Sequence, residues 1–151
     1  MNRGGSMIRS TRGFVLALVL LLPLAVQARD TEVFVAAESA AQSDHAKGYL
    51  LDVPWYLKDQ PGAPQGRSLA TVTTEQSTRG AFRSDESSCQ VAFLTALKNL
   101  QERAQRMGGD AVVDIVSVTR GSRSESPTDF RCVAGAIVVH VGLEGTIVDL
   151  D

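Results

Sequence analysis

Between Ser84 and Val118 the chain reads SDESSCQVAFLTALKNLQERAQRMGGDAVVDIVSV, and no other stretch restricts the fold as much. It predicts one long amphipathic helix, a glycine stop and a buried strand. The Ser84 hydroxyl can accept an orphan amide proton of the first turn. Asp85 and Glu86 suit the positive end of the helix dipole. At 3.6 residues per turn Cys89, Phe93, Ala96, Leu97, Leu100, Ala104 and Met107 share one apolar stripe. Lys98, Gln101, Glu102, Gln105 and Arg106 fall on the opposite, wet face. Val91 and Leu94 lie off the stripe and need a packing partner of their own. Gly108 offers the left-handed position that ends the helix, and Gly109 releases the chain.

After the glycines, Ala111 to Val118 is β-branched and apolar on both faces apart from Asp114, the composition of an interior strand. The polar run GSRSESPTD, from Gly121 to Asp129, predicts a loop. Phe130 to Leu143 (FRCVAGAIVVHVGL) then reads as one continuous strand. The two strands are expected to form a hairpin beneath the helix.

The first 28 residues belong to a different regime. Arg3, Arg9 and Arg12 precede the short apolar run FVLALVLLLPLAV, and Val26-Gln27-Ala28 places small residues as a signal peptidase requires. The run is shorter than the ~20 residues of a membrane span. The expected organisation is therefore a signal peptide over residues 1–28 and a single exported domain over 29–151, periplasmic or secreted. No cysteine stands at the cleavage site, so no lipid anchor is expected. Removing the leader lowers 15 basic residues to 12 against 17 acidic ones, a net charge of −5. That argues against nucleic acid or an anionic membrane surface as partner.

The remainder of the exported part is less regular. Thr31 to Val35 alternates like a strand, and Ala36 to Gln42 suits a short helical turn. Tyr49 to Leu57 reads as an edge strand interrupted by Pro54. Gln60 to Gly66 is a turn or short linker, and Leu69 to Thr74 is a strand. The expected fold is α+β: a long helix on a mostly antiparallel sheet, with a β-α-β-β core and a strand-rich N-terminal extension.

Few residues could carry chemistry. Cys89 and Cys132 are the only cysteines, and in an oxidising compartment an isolated pair usually forms a structural disulfide. A redox-active pair is the alternative, although the spacing is not Cys-x-x-Cys. His45 and His140 are the only histidines. A zinc site needs three or four convergent ligands, so His140 reads as a sheet residue and His45 as a solvated one. Asp110 and Asp114, four apart on one strand, could share a face and hold a cation; a turn residue and a strand-end carboxylate is the preferred reading. No Walker loop or nucleophile elbow occurs. No catalytic, cofactor-binding or metal-binding residue is assigned, no cofactor is expected, and the protein is read as not an enzyme.

The pattern C-x(3)-F-x-x-A-L-x-x-L-x-x-x-A-x-x-x-G-G-D-A-V-V-D-I-V-S, followed by C-x-A-G-A-x-V-V, resembles a family of short exported proteobacterial proteins often labelled "excinuclease ATPase subunit". The likeness runs from Arg29-Asp30 to Gly145 and includes both cysteines. The labelled activity needs Walker motifs and zinc fingers, so the label is read as a naming artefact. More distantly, the helix–Gly–x–Asp–Ala–Val–Val–strand core is similar to the YbjQ-like family, labelled as heavy-metal binders. It is similar also to the lipoprotein sensor of the Rcs envelope-stress pathway. The chain lacks that sensor's lipoprotein cysteine and has one possible bridge where the sensor has two. These resemblances imply a non-enzymatic envelope protein, an interaction or stress-related module whose partner is an unknown envelope protein or small ligand. A small-ligand or metal-binding oligomer of YbjQ-like type is the alternative.

One further expectation concerns the last strand. If Cys132 faces the helix, alternation puts Ala134, Ala136, Val138 and His140 on that side. Val133, Ile137, Val139, Val141 and Leu143 then form an apolar outer face. A cover from Phe34, Trp55 and Tyr56 is expected there, or else a second subunit.

Overall fold

The computed structural model describes Met1, residues 29–80 and residues 83–151; the expected signal peptide, Met1 apart, lies outside the described residues. The chain order is β1 (Thr31–Ala36), α1 (Ala37–Gln42), β2 (Trp55–Leu57), β3 (Arg67–Arg79), α2 (Asp85–Met107), β4 (Ala111–Ser117), a 3-10 turn at Thr119–Gly121, β5 (Asp129–Ala134) and β6 (Val138–Asp149). The fold is α+β, with α2 packed against a mostly antiparallel six-stranded sheet.

Helix α2 starts and stops for local reasons. The Ser84 hydroxyl accepts from the Ser87 amide at 3.1 Å. Gly108 adopts φ 69°, and its amide donates back to the last turn, a conformation that costs a glycine nothing. Cys89, Phe93, Leu97, Leu100 and Ala104 are buried on the sheet side. Two side chains depart from the stripe expected of them. Met107 is exposed, because the helix has by then run past its partners. Gln101, expected on the wet face, is 1% exposed. Its carboxamide accepts from Leu51 N at 3.0 Å and donates to Leu51 O and Val53 O at 2.9 and 2.8 Å.

Those bonds show what lies on the outer side of α2. The segment from α1 to β2 crosses it, so the helix is held between that segment and the sheet. Leu94 is buried there, Tyr49 Oη donates to Thr95 Oγ1, and Lys98 sits 4.4 Å over the Tyr49 ring. The off-stripe apolar residues thus find their partner. Replacing Gln101 by Ala should leave two carbonyls and one amide of the crossing segment unpaired. The expected cost is about 2 to 3 kcal/mol, read by chemical denaturation, with faster hydrogen exchange at Leu51.

The sheet is organised around β6. On one side it pairs with β3 along its whole length; on the other, Leu143–Val148 pairs with β4, and Val139 and His140 pair with β5. Strands β4 and β5 therefore share one edge of β6 in succession. Thr119 fills the fork between them: its hydroxyl donates to Arg131 O and accepts from Gly142 N, at 2.8 and 2.9 Å. Gly142 suits this close approach, because a Cβ would lie 3.0 Å from the Thr119 backbone, tighter than ordinary contact. Strand β1 adds to the outer edge of β5, and β2 runs parallel to β4.

The expected single strand over Phe130–Leu143 is instead two. Gly135, Ala136 and Ile137 make a tight turn, closed by Gly135 N donating to Val138 O at 2.9 Å. The register after the turn is inverted relative to a continuous strand. Val139, Val141 and Leu143 face α2 in the main core, with Cys132 and Ala134. His140, Glu144 and Thr146 face away, and the outer face is polar over most of its width. Arg131 lies buried on it, with Nε and Nη2 on Glu32 and Nη1 on the carbonyls of Thr119 and Ser122. Arg123 spans Glu125 and Glu144; Glu144 first and then Glu125 hold its guanidinium above the ordinary range.

The expected aromatic cover is consequently not formed. Phe34 is 58% exposed, Trp55 packs on the helix side against Phe93, and only Tyr56 rests on a small outer cluster of Ala111, Val113 and Val148.

Strand β3 runs well beyond the expected Leu69–Thr74, because β6 offers it a partner of equal length. Strand β4 carries a bulge at Asp114, φ 51°. The bulge lets Val112 and Ile115 both reach the main core and leaves Asp114 in solvent.

Candidate functional site

Cys89 and Cys132 are joined by a disulfide, with Cα atoms 5.9 Å apart, and both are fully buried. The bridge ties the first turns of α2 to the middle of β5. It is sealed beneath Phe93, one helical turn along, whose ring stacks on that of Phe130 at 4.1 Å. A buried pair in this position braces the fold. Among the described residues no helix is long and apolar enough to cross a membrane.

The two histidines are not brought together. His45 lies on the outer side of α2, with Nε2 3.5 Å from Ser87 Oγ, while His140 is on the face of the sheet turned away from the helix. Asp110 accepts from Leu150 N at 2.9 Å and precedes β4. The bulge breaks the alternation that would have placed Asp114 beside it. Among the described residues no group of three His, Cys, Asp or Glu side chains is arranged to hold a metal ion.

A cleft of about 640 Å³, not legible in the sequence, lies between α1, the Trp55–Pro61 segment and the loop before β5. Ala36, Ala37 and Ala41 form one wall, Trp55, Leu57 and Pro61 the other, and Pro127 closes one end. Its shape is fixed from several directions. Ala37 N donates to Thr128 O at 2.9 Å, anchoring α1 to the loop. Asp59 takes a left-handed backbone, φ 61°, and Gln60 Oε1 accepts from Leu57 N at 2.9 Å, which tightens the turn. Trp55 is braced from behind by Phe93 in an edge-to-face contact of 6.0 Å.

Polar groups stand around the cleft. Glu38 and Gln42 are bonded to each other at 2.9 Å, and Gln60 and Thr128 complete the lining. No nucleophile and base converge on it. Its chemistry is that of a binding surface: a rigid indole and small apolar groups, with one carboxylate beside them. The sequence held a faint signal for it, an alanine-rich helix and a lone tryptophan next to prolines. The walls come from three separate segments, which no local pattern brings together. Set against family models, characterised proteins and solved structures, the chain matches none.

Proposed function

We propose that the protein is a non-enzymatic periplasmic or secreted envelope protein, an interaction or stress-related module that holds an apolar segment of a partner in the cleft beside Trp55. The observation that carries this reading is the make-up of the cleft walls. Aromatic and small apolar groups on a braced backbone bind without large ordering costs, and Trp is a residue type enriched in interface anchors. The leader pattern over residues 1–28 and the disulfide both support an exported setting. The cleft volume also lies within the roughly 300–1,000 Å³ typical of small-molecule sites. That favours, as the second reading, a small-ligand-binding oligomer of YbjQ-like type.

A photocrosslinking side chain placed at Thr128, in the protein expressed in its producing host, separates the two. A discrete adduct of protein size is expected, and Ala41→Arg, which fills the cleft from a half-buried position of α1, should abolish it. An adduct that persists in Ala41→Arg, or no adduct, removes the interaction reading. A small molecule that co-purifies in native mass spectrometry and is lost in Ala41→Arg transfers the cleft to the second reading.

A further inference from the structure

Strand β3 spans thirteen residues, and among the described residues only β6 pairs with it. Among the described residues nothing pairs with the backbone donors and acceptors of its other edge. Gly80 N donates to Ile137 O, and orientation alternates along an antiparallel pair. The outward-pointing backbone groups are therefore those of Thr71, Thr73, Glu75, Ser77 and Arg79. All five residues are exposed. Protein edges are usually blunted by proline, bulges or like charges. Here the only bulge lies at the far end, between Ser68 and Ala70, and the stretch from Thr71 to Arg79 contains no proline. It carries one acid and one base.

We propose that this edge is a homodimerisation surface, with a second copy of the chain adding antiparallel about a twofold axis at Ser77. In that register Ser77 exchanges backbone hydrogen bonds with its own symmetry mate. Glu75 lies opposite Arg79 of the second copy, and the reciprocal pair forms on the other side of the axis. On the helix side, Gln76 meets Thr78 of the second copy, two polar side chains of matching reach. Among the described residues Arg79 makes no ion pair, so it is free to take this role.

Axes through the other outward-pointing residues fail on charge or geometry, and an axis at Gln76 sets Glu75 opposite Ser77 and Arg79 opposite Thr73, without the ion pairs. An axis at Glu75 sets two carboxylates face to face, and an axis at Thr73 sets Arg67 against Arg79. An axis at Thr71 runs the pairing across the bulge, and it needs Arg67, which Asp149 already holds. The pairing is independent of the cleft, which lies on other elements. A monomer–dimer equilibrium of this kind should depend on concentration.

Sedimentation equilibrium of the purified protein over a concentration series tests this. A monomer–dimer equilibrium is expected for the wild type. Glu75→Arg, and equally Arg79→Glu, should weaken it on the order of tenfold or more, since each turns two opposite-charge pairs into like-charge pairs. The double variant Glu75→Arg with Arg79→Glu should restore it. A wild type that stays monomeric throughout the series overturns the proposal, as does a dimer indifferent to Glu75→Arg. So does a double variant that is folded by circular dichroism yet monomeric.

Discussion

Replacing Val139 by Asp should unfold the protein, whereas the same charge at its neighbour His140 should be tolerated. Val139 is fully buried and lies in β6 between Ala134 of β5 and Thr78 of β3. Its side chain points into the core beneath α2. A carboxylate there loses its hydration and gains no partner in that apolar cluster. The expected loss exceeds about 4 kcal/mol, a large share of the 5–15 kcal/mol typical of a whole domain. His140, one residue on, faces the polar side of the sheet. Thermal melts followed by circular dichroism distinguish the two faces. A continuous strand from Phe130 to Leu143 would reverse the assignment, with His140→Asp striking beneath the helix. Equal melting temperatures for the two variants would remove the register described above.

Removing the disulfide should have the next largest effect. The bridge closes a separation of 43 residues, and the chain-entropy model gives about 4 kcal/mol for a loop of that size. Cys89→Ala with Cys132→Ala should lower the free energy of unfolding extrapolated from a denaturant series by that amount and leave the fold intact under mild conditions. Because both sulfurs are fully buried, reduction of the native protein should wait on opening of the fold. Thiol labelling of the protein isolated from its producing host, under denaturing, non-reducing conditions, should find no free cysteine. Two labelled thiols would show that the bridge is not formed in the cell.

The parts of this fold that were legible in the sequence are those determined locally. Ser84 and Gly108 mark the ends of α2 because a cap and a left-handed stop act over three or four residues. Strand β4 was legible as an interior strand from its β-branched run, although its bulge was not. The turn at Gly135–Ile137 escaped notice because Ala136 and Ile137 continue the apolar run. Only the pairing of Val138 and Gly135 across the turn reveals it. That single turn reversed the faces of every later residue in the strand, which is the cost of a misplaced register. Gln101 was misread for a related reason. A glutamine on a helix is usually wet, and only the crossing of residues 51–53, fifty positions earlier, makes it a buried clamp. The sequence shows a strand only as far as Thr74, and its continuation to Arg79 becomes legible only when β6 is known to lie alongside it. The cleft depends on three segments meeting, so its residues were visible but their assembly was not.

The position of β6 in the sequence governs when the sheet can form. Strands β3, β4 and β5 all bond to it, and it follows every one of them along the chain. Before residues 138–149 are available, those strands have no common partner, and the stripe on α2 has only part of the surface it needs. The pairing of Arg67 with Asp149 closes a large part of the chain into one loop, the kind of distant contact that slows folding. The sheet is therefore expected to assemble only once β6 has joined it.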